Sequence, residues 1–291
     1  MKAQLRNIIL ITLSAFLFSS CEKEIKLNLP EQERKLVVEG WIEQGQPAIV
    51  VLTKSSSYFD PIDSAALFGS MVTDATVTVS DGVTTETLAL TTIDYFPPLA
   101  YKGSTIIGEI GKTYTLDIDW NGGHYSSVTT IKKTAKWDSL WFDLKPDDDS
   151  LGNVYGMATD DGTVYNYYRA YTKILHVDLN FVPIYGSVWD DKFFSGQTLT
   201  GQMYHGIASN IIAPDDNNKR GLYYKIGDTV LTRLSTMDSI SYSFWKAAES
   251  EIFSGGNPFS STTSVPTNIV GGALGCWTGY GSTYDTIICK K

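Results

Sequence analysis

Alternation of β-branched and polar residues, interrupted at short intervals by Gly, Pro and Asn, restricts this chain to antiparallel β architecture before any other property is considered. The runs Lys35-Leu36-Val37-Val38-Glu39-Gly40-Trp41-Ile42 and Ala48-Ile49-Val50-Val51-Leu52-Thr53 flank Glu43-Gln44-Gly45-Gln46-Pro47 and predict a hairpin. Ala75, Val77 and Val79 alternate with Thr76, Thr78 and Ser80, so one face of that strand is buried and the other wet. Asp81-Gly82 turns the chain into Thr84 to Leu90. A strand from Tyr114 to Trp120 turns at Asn121-Gly122-Gly123 and returns from Tyr125 to Ile131, a strong hairpin signal. Turns spaced in this way predict an immunoglobulin-like or fibronectin-like β-sandwich over residues 35–132. Gly111-Lys112-Thr113-Tyr114 sharpens that expectation, because a tyrosine opening a late strand after a turn glycine resembles the tyrosine corner of such sandwiches.

Lys132-Lys133-Thr134-Ala135-Lys136 is polar and reads as a domain boundary. Beyond it, Ser139 to Leu144, Gly152 to Thr159 and Val164 to Leu179 again read as strands, with Thr159-Asp160-Asp161-Gly162-Thr163 as a turn. Tyr165-Asn166-Tyr167-Tyr168-Arg169-Ala170-Tyr171 carries aromatics on both faces, which suits a sheet covered on both sides or a barrel wall. Residues 137–291 are therefore expected to form a second antiparallel β-domain, barrel or sandwich, carrying one amphipathic helix near 236–253. Thr236-Met237-Asp238-Ser239 supplies capping side chains, Ser254-Gly255-Gly256 stops the helix, and Ile240, Phe244, Ala248 and Ile252 form the stripe expected to face the core.

The start of the chain has the anatomy of an export signal. Lys2 and Arg6 make a positive region, Ile8 to Phe18 an apolar one, and Ser19-Ser20 precede Cys21. The apolar run is little more than half of the roughly 20 residues that cross a bilayer, which argues for a cleaved leader over residues 1–20 rather than a permanent span. Leu17-Phe18-Ser19-Ser20-Cys21 resembles a bacterial lipobox, with Phe18 where leucine is commoner, and implies that Cys21 is acylated and becomes the mature N-terminus. Residues 21–34 then read as a lipid-anchored tether. Glu22-Lys23-Glu24 resembles the tag that directs lipoproteins of Bacteroidetes to the outer face of the outer membrane, although any solvated tether carries such charges, so the periplasmic face stays open.

Losing Lys2 and Arg6 from 23 basic residues leaves 21 against 32 acidic ones, a formal charge of −11. With no cluster of Lys and Arg, nucleic acid is not an expected partner. The three histidines, His124, His176 and His205, stand in separate segments without a ligand spacing, so the sequence supports neither a zinc site nor a His-based triad. Neither a Gly-x-Ser-x-Gly elbow nor a phosphate-cradling loop occurs. Asp147-Asp148-Asp149 and Asp215-Asp216-Asn217-Asn218 are oxygen-rich, but neither has EF-hand spacing and both read as solvated turns. Asp190-Asp191-Lys192-Phe193-Phe194 reads as an exposed loop whose aromatic pair tucks under. Catalytic residues, metal ligands and cofactors are accordingly expected to be absent, and no ligand-binding residue is assigned.

Cys21-Glu22-Lys23-Glu24-Ile25, Leu36-Val37-Val38-Glu39-Gly40-Trp41-Ile42, Tyr165-Asn166-Tyr167-Tyr168-Arg169, Gly256-Asn257-Pro258-Phe259-Ser260 and Asn268-Ile269-Val270-Gly271-Gly272 resemble the Bacteroidetes lipoproteins of domain-of-unknown-function family 4249. The resemblance covers nearly the whole mature chain. It implies an outer-membrane lipoprotein that accompanies a TonB-dependent receptor in nutrient or metal uptake, and carries no site residues with it. The alternatives are an extracellular hydrolase acting on glycan or protein, which needs only two carboxyl groups across a cleft, and a structural envelope component.

Cys276 and Cys289 remain once Cys21 is acylated. Gly279 and Gly281 flank Tyr280 as a turn, and Thr283 to Ile288 read as the returning strand. A hairpin of that kind predicts a Cys276–Cys289 disulfide, a loop closure worth about 3 kcal/mol in an exported protein.

Overall fold

The structure is a computed structural model that describes residues 33–57, 63–95, 97–206, 220–254 and 264–291. The leader over 1–20, Cys21 with most of its tether, the acidic run 215–218 and the segment 256–260 lie outside the described residues. In chain order the elements are β1 (Leu36–Glu43), β2 (Pro47–Lys54), α1 (Ser64–Ser70), β3 (Thr76–Ser80), β4 (Thr85–Thr87), β5 (Ala89–Thr92), β6 (Leu99–Ile107), β7 (Thr113–Trp120) and β8 (Gly123–Thr130). They continue as β9 (Ser139–Leu144), β10 (Leu151–Thr159), β11 (Tyr167–Ile174), β12 (Val182–Asp190), β13 (Thr198–Met203), β14 (Tyr224–Lys225), β15 (Thr229–Met237), α2 (Ser239–Ser254) and β16 (Leu274–Ile288). The fold is mainly β, with antiparallel pairing throughout except between β1 and β16, and no sheet among the described residues closes into a barrel.

Local signals produce the hairpins that the sequence predicts. β1 and β2 pair antiparallel. β7 and β8 are joined by Asn121-Gly122, both with positive φ (49° and 75°), the mirror-image turn whose twist matches that of the flanking strands. Tyr114, fully buried, donates its hydroxyl to the Ile107 carbonyl at 3.2 Å and accepts the Glu109 N–H at 2.8 Å, the upstream backbone tie of a tyrosine corner.

Three sheets result. The largest has eight strands in the order β12-β11-β15-β16-β1-β2-β6-β5, and two four-stranded sheets are built from β4-β3-β7-β8 and from β13-β10-β14 with β9 on β10. Directly paired residues share a face, so register shows how the layers stack. Val38 and Ile42 of β1, Val50 and Leu52 of β2 and Trp277 of β16 pack with Val77, Val79, Leu116 and Ile118 of the first small sheet. On the same face further along, Tyr168, Ala170 and Ile174 of β11 and Val230 and Leu234 of β15 pack with Val154 of β10, Met203 of β13 and Tyr224 of β14. The two small sheets thus lie side by side on one face of the eight-stranded sheet, and α2 lies on the other, where Tyr242 and Trp245 meet Tyr280, Trp41 and Tyr167.

This arrangement corrects three expectations. The segment around 132–136 is indeed irregular, but it does not divide two self-contained sheets. β16, near the end of the chain, pairs in parallel with β1 from Val37↔Leu274 to Glu43↔Tyr280 and places Trp277 in the core of the N-terminal sandwich.

The hairpin expected between Cys276 and Cys289 is instead one continuous strand. Gly279 and Gly281 are not turn residues but the places where another backbone crosses: an added Cβ would lie 3.0 Å from the Thr130 carbonyl carbon at Gly279 and would collide with the Lys132 carbonyl oxygen at Gly281. Thirteen residues of extended strand separate the two sulfurs by about 40 Å, so the expected disulfide does not form and both thiols are free and buried.

The third correction is the face of α2. Its start is as read, with Asp238 Oδ1 accepting the Ser241 N–H at 2.8 Å. Yet Ile240 and Ile252 of the expected core stripe are exposed, while Ser241 and Tyr242 are buried. The sheet surface beneath carries Arg169, Ser187 and Asp190, so the helix docks through Tyr242, Trp245 and Glu249, leaving Phe244 and Ala248 half-buried and the two isoleucines in solvent.

Candidate functional site

Where the eight-stranded sheet faces β10 and β13, large rings meet across a gap that they do not fill. The result is a cavity of about 140 Å³ whose lining includes Trp137, Tyr168, Trp189, Phe194, Leu199 and Met203, with Asp160 at one side. Tyr168 and Trp189 lie nearly parallel, 27° apart with centroids 5.8 Å from one another, and form one continuous aromatic wall. Trp137 closes another side and lies so close to Gly156 that an added Cβ there would come within 2.7 Å of the indole. Gly201 contributes bare backbone: an added Cβ would meet nothing within 4 Å. Leu199, Gly201 and Met203 alternate along β13 and line the same space, so a side chain at 201 would enter it. Tyr185 (51% exposed) and Leu199 (37%) put the opening at the protein surface.

Asp160 is 9% exposed and receives the Tyr168 hydroxyl and the Asn166 Nδ2 (3.2 Å) on Oδ1 and the Gly196 N–H (2.8 Å) on Oδ2. Burial, then the hydrogen bond to Asp160, drives the Tyr168 phenol well above its usual range, so it stays a donor. Asn166 also reaches Asp191, whose Oδ2 accepts the Asn166 N–H at 2.8 Å while its buried Oδ1 has no hydrogen-bond partner among the described residues. The loop expected to tuck its aromatic pair does so by half: Phe194 lines the cavity and Phe193 is 86% exposed.

The opposite face of the same sheet is charged and closed. The Arg169 guanidinium lies 3.6 Å from the Trp245 ring centroid and 5.0 Å from that of Tyr171, and donates to Tyr280 at 3.2 Å and Ser187 at 3.3 Å. Arg233 stacks on Tyr171 and Tyr280, and its Nη2 stands 2.9 Å from Glu43 Oε2 as an ion pair without hydrogen-bond alignment. Glu249 of α2, held by Ser187 and 4.0 Å from Arg169, completes the array. Burial pushes the Glu249 carboxyl above its usual pKa, against Ser187 and Arg169. Each guanidinium already has a carboxylate and aromatic faces, so this cluster fastens α2 to the sheet.

A Thr–His–Asp chain also exists, which spacing along the sequence did not reveal. Thr172 Oγ1 is 3.2 Å from His205 Nδ1, and His205 Nε2 is 3.4 Å from Asp178 Oδ1, a contact without hydrogen-bond alignment. Asp178 Oδ2 accepts the Ile174 N–H at 2.6 Å, and Tyr224 donates to Thr172 at 3.1 Å. All four residues are buried and none lines the cavity described above. His124 is exposed on the β7–β8 hairpin beside Asp119, and His176 is exposed in a turn. Asp148 caps its own turn by accepting the Ser150 and Leu151 N–H groups, which lower its pKa to about 2. No group of three or more potential metal ligands converges among the described residues.

Cys276 and Cys289 do not come together. Burial pushes the first thiol up to about 11 and the second to about 12. The cavity residues escaped the sequence reading because they come from separate strands; the available signals were the paired aromatics of Tyr165 to Tyr171 and the Phe193-Phe194 loop. Among known families, the one described as Domain of unknown function (DUF4249) matches residues 22–285. No curated protein matches the chain.

Proposed function

The chain belongs to that family over nearly its whole length, and on this premise we propose that it is a cell-envelope lipoprotein that binds a small organic ligand between its sheets. The observation that carries the binding reading is the aromatic-walled cavity with one buried carboxylate, since ligand sites are concave, mostly apolar, and furnished with few polar groups. The leader and Cys21 support anchoring by acyl chains in the outer membrane of a Bacteroidetes cell, with the cavity carried on a short tether. The resemblance noted above supports a role beside a TonB-dependent receptor, to which the bound compound would be delivered.

The test is to purify the lipoprotein from outer membranes and identify the small molecules it retains, beside a Gly201→Leu variant whose new side chain fills the cavity. A compound present in the wild type and missing from the variant is the expected result. Identical small-molecule content in both, with no tryptophan fluorescence response to small ring compounds, overturns the binding reading. Cys21→Ala should abolish partition into detergent, and unchanged partition would refute the anchor.

A further inference from the structure

We propose that the cavity takes a cationic ammonium group, a quaternary or alkylated amine carried on a small organic molecule. The inference rests on the binding reading above and adds the charge of the ligand. Size comes first. A space of about 140 Å³ is comparable to the cavity of roughly 150 Å³ that holds one benzene molecule, so it admits a single ring or a single trimethylammonium head.

The walls then select among groups of that size. Trp137, Tyr168, Trp189 and Phe194 present π-systems, and a cation within about 6 Å of such a ring is drawn to its negative face. An aliphatic pocket would reject a charged group, whereas aromatic faces repay part of a cation's lost hydration.

Asp160 supplies the second, independent element. Its carboxylate accepts from three neutral donors, and among the described residues it forms no ion pair with any Lys or Arg. Lys133, the basic residue near this loop, pairs with Asp161 instead, at 2.9 Å. A carboxylate at 9% exposure without a countercharge is costly, and a cation in the cavity provides that charge where the protein does not. The buried Asp191, joined to Asp160 through Asn166, adds negative potential from the same side. The residues lining the cavity include no Lys, Arg or His, so an anionic ligand would meet the Asp160 carboxylate with no countercharge and only neutral donors such as the Trp137 Nε1–H. A metal ion is equally unsuited, because indole and phenyl walls cannot replace its lost water and one carboxylate cannot complete a coordination sphere.

The full mature chain should be titrated with choline and with its uncharged carbon isostere, dimethylbutanol, followed by tryptophan fluorescence and calorimetry. Choline is expected to bind at least about tenfold more tightly, as cation–π attraction to several desolvated rings requires. Asp160→Asn should reduce that ratio to within about threefold, and Gly201→Leu should remove binding of both probes while keeping the wild-type circular dichroism spectrum. Equal affinity for choline and dimethylbutanol in the wild type overturns the cationic ligand and leaves the binding reading standing. Failure of both probes, with the wild type indistinguishable from Gly201→Leu, overturns both. Should Asp160→Asn misfold, the wild-type choline-to-isostere ratio decides by itself.

Discussion

The two ends of the eight-stranded sheet use the same face in different ways. Where β1 and β2 meet β3 and β7, the layer between is filled mainly by aliphatic side chains together with Tyr101, Tyr114 and Trp277, with Trp120 and Tyr125 at its margin. Where β11, β12 and β15 meet β10 and β13, the layer is built from Trp137, Tyr168, Trp189 and Phe194, and rings of that size and rigidity leave the cavity between them. Branched aliphatic chains interdigitate to crystal-like density, whereas flat rings fixed at their edges meet only in part. The densely filled end is therefore expected to carry most of the stability, and the end proposed to bind is the one whose packing is incomplete. β16 runs through both, so neither end is independent of the other.

The strongest challenge to this division is Trp277→Ala. Trp277 is fully buried at the solid end, its Nε1 donates to the Tyr114 carbonyl at 3.2 Å, and its loss should cost about 3–5 kcal/mol. Because β16 is shared, chemical denaturation followed by two probes should show one transition shifted as a whole. Two separable transitions would mean that the ends fold independently.

Glycine substitutions compare the ends directly. A Cβ at Gly40 would lie 2.8 Å from the Trp277 ring, so Gly40→Ala should destabilise by about 2 kcal/mol through overpacking. Gly201→Leu, which enters open space at the other end, should change stability by less than about 1 kcal/mol while abolishing ligand binding. Equal losses in the two variants would remove the distinction. Tyr114→Phe deletes both bonds of the tyrosine corner and should cost about 1 kcal/mol in the same denaturation assay, with ligand affinity unchanged.

A smaller effect follows from Glu39, on the α2 side of β1. Burial raises its carboxyl pKa above 4.5, against the Tyr95 hydrogen bond and the charge of Arg169. A folded value above the unfolded one means that the stabilising contribution of the protonated form is complete below pH 4.5 and is lost as pH rises through the folded value. Glu39→Gln should therefore match the wild type near pH 4 and melt higher near pH 8, and a constant difference across that range would contradict the burial argument. The smallest effect concerns the thiols. Cys276 and Cys289 should resist alkylation at neutral pH in the folded protein, their pKa values being raised to about 11 and about 12, and both should react after unfolding without reductant. Failure of both to react after unfolding would restore the disulfide.

Features that rest on neighbours in the chain were legible from the residues alone. Alternation in Thr76–Ser80 and Thr113–Trp120 sets which face of each strand is buried, Asn121-Gly122 closes its hairpin, Tyr114 ties its own upstream backbone, and Asp238 starts α2. Each of these is specified within about ten residues, where periodicity and turn chemistry act. Tertiary structure alone decided the rest. Gly279 and Gly281 carry the same local signature whether they turn a chain or admit a crossing backbone, and only the passage of residues 130–132 over β16 distinguishes the two. The inward face of α2 was set by Arg169 and Ser187 on strands far from it in sequence, which outweighed its own aliphatic stripe. The cavity has no sequence pattern at all, because it is the space left where side chains from separate strands fail to meet, and that space exists only after the sheets have closed on one another.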